Sequence, residues 1–76
     1  MRDERTHRAE EQTGGRVIPA REVEQGQRFF GVLGAALDDD GVMVTHVATD
    51  LKGRVRLTFA HSETRTLDPQ RKVVVA

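Results

Sequence analysis

Residues 54–59 read Arg54-Val55-Arg56-Leu57-Thr58-Phe59, an alternation that sets Val55, Leu57 and Phe59 on one side and Arg54, Arg56 and Thr58 on the other. Successive side chains of a strand point to opposite faces, so the stretch reads as a half-buried β-strand whose apolar row needs a core. Just upstream, Asp50-Leu51-Lys52-Gly53 fits a type I turn, with Asp first and Gly fourth, and makes an antiparallel hairpin with a strand over residues 42–48. That strand, Val-Met-Val-Thr-His-Val-Ala, has apolar residues in both parities, and alternation alone assigns neither face to the inside. Downstream, Ala60-His61-Ser62-Glu63 reverses the chain without a glycine. Residues 64–67 form a further strand with Leu67 toward the core and Arg65, of the same parity, near the rim. Asp68-Pro69-Gln70 is a turn, and residues 72–75 are a last strand.

Toward the N-terminus, residues 27–33 read as a strand in which Phe29 and Phe30 are adjacent and point to opposite faces, so one enters the core and the other needs a cover. Residues 31–37 are apolar but rich in Gly and Ala; they either run on as a glycine-kinked strand or fold back as that cover. Asp38-Asp39-Asp40-Gly41 closes them with a turn. Residues 16–20 are a first strand in which Pro19, lacking an N–H, marks an edge or a strand end. Residues 21–26 form a helical turn or tight loop closed by Gly26. Residues 1–15 mix both charge signs, hold no large apolar residue after Met1 and end in Gly14-Gly15, which predicts a disordered tail, with a short helix over residues 3–12 as the competing reading. The expectation is an all-β domain over residues 16–76, a small antiparallel barrel of five or six short strands closed by pairing of the last strand with the first.

Seventy-six residues allow one domain with a small core. With no cysteine, disulfide, thiolate and cysteine-ligated zinc chemistry are excluded, and a reducing compartment is compatible. The charged start, without an apolar run, predicts a soluble, cytoplasmic protein with neither signal peptide nor membrane span. Twelve basic residues balance twelve acidic ones, but residues 52–76 carry six bases against Glu63 and Asp68, a net of +4, while residues 16–51 carry a net of −3. A dipolar surface follows.

The run from Ile18-Pro19-Ala20-Arg21-Glu22-Val23 through Gly26 to Phe29 resembles the start of several small β-barrel families, among them Hint domains and the KOW-like first domain of translation elongation factors of the P/5A type. Hint chemistry needs a nucleophilic Cys or Ser at the domain start; Arg16 or Val17 stands there, so the resemblance implies no self-splicing. Strand count and length resemble an SH3-like barrel more than an OB-like one. Residues 16–76 as a whole resemble short proteins of unassigned function from GC-rich bacteria and their phages.

The candidate sites are few. The triplet Asp38-Asp39-Asp40 offers carboxylates but lacks the alternate spacing of a calcium loop, and Thr49 stands where that loop ends in glutamate. His46 and His61 are too isolated for zinc, and neither Thr45 with His46 nor Ser62 with His61 has an orienting acid. No catalytic, metal or cofactor site is therefore predicted. An outward Phe29 or Phe30, with Val32 and Leu33, would make an apolar patch for a protein partner or a second copy. Alternatively, Arg54, Arg56, Arg65, Arg71 and Lys72 would line a basic face for phosphate-led nucleic-acid binding; without Tyr or Trp it has no stacking platform. The expected protein is a non-enzymatic interaction or regulatory module, with nucleic-acid binding as the alternative.

Overall fold

In the computed structural model, which describes residues 4–76, a ten-residue helix α1 (Glu4–Thr13) leads into six antiparallel strands: β1 (Arg16–Pro19), β2 (Arg28–Val32), β3 (Val42–Thr49), β4 (Val55–Phe59), β5 (Thr64–Leu67) and β6 (Lys72–Val75). The decisive stretch behaves as its alternation demands. Val55, Leu57 and Phe59 are buried, Leu57 completely, while Arg56 is exposed on the reverse side. They form the main core with Phe29, Val32, Val44, Val73 and Val75, and with Ala20 and Val23 from the 3₁₀ turn at Ala20–Glu22 and its exit.

The strand order is β1-β6-β2-β3-β4-β5. The last strand does pair with the first, but β6 lies between β1 and β2 rather than at a seam, so this pairing closes nothing. The sheet is open, with β1 and β5 as its edges, and the expected closed barrel is corrected accordingly. A strand inside the sheet and covered on both faces has no polar side, which is why Val73, Val74 and Val75 follow one another, all fully buried.

Two bulges settle what alternation left open. Along β2, Phe29 faces Val75 and Gly31 faces Val74, so Phe30 is an extra residue. The bulge sends Phe29 and Val32, of opposite parity, into the same core, and turns Phe30 to the other side. Gly31 carries the kink at φ 141°, and a side chain there would meet Leu37 Cδ2 at 3.0 Å. Along β3, Val44 faces Phe59 and His46 faces Thr58, so Thr45 is extra; Val42, Val44 and Val47 thereby all reach the core, while Thr45 and His46 are exposed. The Thr45 hydroxyl donates to the Thr58 carbonyl at 3.1 Å and ties the bulge to β4.

Phe30, Val74 and Ala9 form a second, smaller core flanked by Val17, Leu33 and Leu37. Its lid comes from two places. Residues 33–37 form a turn rather than a strand, and α1 lies across β1 and β6 with Ala9 only 3% exposed. The disordered tail expected over residues 1–15 is therefore corrected for residues 4–15, and residues 1–3 lie outside the described ones. A lone alanine is a weak signal for a docked helix, but the bulged Phe30 supplies the surface it docks on. Side-chain contacts one turn apart, the Arg8–Glu4 ion pair at 2.8 Å and His7 Nε2 with Glu11 at 3.0 Å, support the exposed side, and Gly14 ends the helix at φ 71° with its N–H on the Glu10 carbonyl. Among the described residues no helix is long and apolar enough to cross a membrane.

Candidate functional site

Because the sheet stays open, β5 has a strand on one side only, and beside it lies a cleft of about 310 Å³. Phe29 and Phe59 bring an aromatic pair to it, ring centroids 5.2 Å apart. His61 stands edge-on to Phe59 at 5.8 Å, and its Nδ1 accepts a hydrogen bond from the Glu63 backbone N–H at 3.4 Å. Glu63, Thr64 and Arg65 line the β5 wall; Gly31, Ala36, Asp38 and Val42 line the opposite one. Arg65 pairs in register with Leu57 and therefore shares its inner face, at the rim, as parity predicts.

The backbone of β5 is as relevant as its side chains. The Phe59 N–H donates to the Glu63 carbonyl at 2.9 Å, which fixes the antiparallel alternation: peptide groups of Glu63, Arg65 and Leu67 face β4, and those of Thr64 and Thr66 face outward. Edge groups of this kind accept an added strand.

The apolar patch expected from Phe29, Phe30, Val32 and Leu33 is not on the surface. Phe29, Phe30 and Val32 are buried and Leu33 is half-buried, because the bulge divides them between two cores that are both covered. Among the described residues, the large apolar side chains that are exposed are Met43 and Leu51. The five bases do not share one face either. Arg54 Nε donates to Asp50 Oδ2 at 2.9 Å, Arg56 lies on the outer face opposite Thr66, and Arg65 lies on the inner one. Arg71 and Lys72 lie beyond the turn after β5, in a separate hollow of about 360 Å³ with Arg5, Leu33, Gly34 and Gln70. In that hollow α1 contributes a guanidinium that sequence reading assigned to the tail.

Asp50 receives N–H groups from Arg54 and Lys52, each at 2.9 Å, and the backbone bond from Arg54 leads the causes that hold its carboxyl below the usual aspartate range. The aspartate triplet serves its turn and the helix: Asp38 Oδ1 accepts the Asp40 N–H at 3.1 Å, and Asp39 Oδ1 accepts Gln12 Nε2 at 2.9 Å. Among the described residues no group of three or more His, Asp or Glu converges as metal ligands would. The cleft residues His61 and Asp38 were not singled out as one site by the sequence; the available signal was the shared parity of Phe59, His61, Glu63 and Arg65 across a reversal.

No protein-family model, curated protein or solved structure matches this chain.

Proposed function

We propose that the protein is a non-enzymatic interaction module, resembling an opened SH3-like barrel, that takes an extended protein segment along β5 and over the adjoining cleft. The resemblance lies in the order β6-β2-β3-β4-β5 and in a long, bulged β3 serving both halves of the sheet. The observation that carries the function is the open β5 edge, its Thr64 and Thr66 peptide groups turned outward beside the Phe29 and Phe59 pair. Main-chain bonds would supply register, and Glu63 and Arg65 on the cleft wall would supply side-chain contact. Proline tests this well, because an outward-facing N–H can be lost without breaking the chain's own ladder. Thr66→Pro is expected to remain folded and to lose binding of any extended peptide that shifts the Thr64 and Thr66 amide resonances of the wild type. Peptide binding that is unchanged in Thr66→Pro refutes the reading.

A second reading, phosphate-led nucleic-acid binding, is favoured by the hollow at Arg71 and Lys72. A labelled oligonucleotide titrated at low and moderate salt is then expected to bind in a salt-dependent way, and Arg71→Glu with Lys72→Glu to abolish it. Binding that survives the double change refutes this reading.

A further inference from the structure

We infer that the strand seated on β5 is β5 of a second copy, antiparallel, with Thr64 on the two-fold axis; this rests on the open-edge reading of the preceding subsection. Pairing across a two-fold must join outward-facing peptide groups, which limits the registers to those centred on Thr64, on Thr66, or on Arg65 between them. Centring on Arg65 sets two guanidiniums against each other at the closer, non-hydrogen-bonded spacing, and like charges directly opposite oppose pairing. Centring on Thr66 leaves Arg65 opposite Leu67 and brings Thr64 opposite Asp68, one residue before Pro69.

The Thr64 register does something neither of the others does. It places Glu63 opposite Arg65 of the other copy, and by symmetry does so twice, on the inner face that each copy turns toward its cleft. The two Thr64 residues then exchange both main-chain bonds, with a threonine pair on the outer face. Both charges are available. The Glu63 side chain is 80% exposed, with His61 Nε2 at 4.0 Å; among the described residues no carboxylate pairs with Arg65. An inward-facing charge on an edge strand discourages indiscriminate pairing, so Arg65 excludes strands that bring no acid to meet it.

Four residues of edge bury far less than the roughly 1,600 Å² of a standard stable interface, so the dimer is weak and concentration-dependent. Sedimentation equilibrium from low micromolar to millimolar chain is expected to show a monomer giving way to a dimer. Glu63→Arg and Arg65→Glu each replace two attractions by two repulsions and should weaken association about tenfold or more, while the double exchange should restore most of it. Thr64→Pro, which removes the outward N–H exchanged across the axis, serves as the backbone control. A wild type that stays monomeric at millimolar concentration, or a double exchange no better than either single change, overturns the inference. If a peptide still shifts the Thr64 and Thr66 amides in that monomer, only the second copy is wrong; if Thr64→Pro dimerises as the wild type does, β5 is not the interface.

Discussion

Two of the hairpins are built on one plan with one difference, and exchanging that difference has a calculable effect. In the β3–β4 hairpin, the Gly53 N–H donates to the Asp50 carbonyl at 3.0 Å and the Asp50 N–H to the Arg54 carbonyl at 2.9 Å. In the β4–β5 hairpin, the Ser62 N–H donates to the Phe59 carbonyl and the Phe59 N–H to the Glu63 carbonyl, both at 2.9 Å. The third loop residue is left-handed in each, with φ 81° at Gly53 and φ 71° at Ser62, the one non-glycine with positive φ among the described residues. Holding an L-residue there costs roughly 1–2 kcal/mol, against which glycine in the unfolded chain costs about 0.4–1 kcal/mol in extra entropy. Ser62→Gly is therefore expected to stabilise the domain by about 0.5–1 kcal/mol, raising Tm by about 2–8 °C for a domain of this size. Gly53→Ser should destabilise by a similar amount, for reasons of backbone alone, since a Cβ there meets nothing within 4 Å. Urea unfolding followed by far-ultraviolet circular dichroism measures both. A Ser62→Gly midpoint equal to or below that of the wild type, with m unchanged, refutes the reasoning.

Other outcomes follow from the same structure. Leu57→Ala empties a fully buried site at the centre of the main core and should cost about 2–5 kcal/mol, a large share of the stability of a domain this small; chemical denaturation checks it. Ala9→Asp puts a carboxylate against Phe30 and Val74, so α1 should undock while β4 stays protected, visible as faster amide exchange confined to α1 and β1 together with increased dye binding at the uncovered phenylalanine. Gly15→Ala drives a Cβ into the Val75 carbonyl oxygen, a backbone atom that cannot swing away, and should lower stability by about 1–3 kcal/mol in the same assay. The carboxyl of Asp50 is held below its ordinary value, so its contribution is complete above the unfolded value near 3.8 and disappears as pH falls through the lower folded value; the wild type should lose a stability increment over that acid interval that Asp50→Asn lacks.

The elements that read correctly from sequence are those in which local pattern and tertiary demand coincide. Alternation at residues 54–59 needed no help, the Asp50 to Gly53 turn carried its own chemistry, and the run at residues 72–75 was recognisable as a strand. What escaped was tertiary. The helix at Glu4–Thr13 contributes one buried alanine, a signal no stronger than that of a solvated tail, and its docking depends on a phenylalanine more than fifteen residues away. Pairing of first and last strands closes a sheet only where it forms a seam, whereas β6 has a partner on each side.

The candidate site was hidden for a related reason. A bulge costs one residue and reverses parity beyond it, so Phe29 and Val32 share a core that strict alternation would deny them. Phe29 and Phe30 do point to different sides, as adjacency requires; of the two fates open to the outward one, a partner or a cover, the cover holds, since Gly31 lets residues 36 and 37 approach the strand and α1 covers the remainder. With both phenylalanines enclosed, the apolar surface expected for a partner is absent at that place. The polar edge of β5, one of the sheet's two edges, remains as the proposed place of extension. An edge identifies itself by what fails to lie beside it, and no local run of residues encodes that. Its side chains encode only which strands are admitted: Glu63 and Arg65, two apart on one face, suit a strand that carries the same pair in the opposite direction.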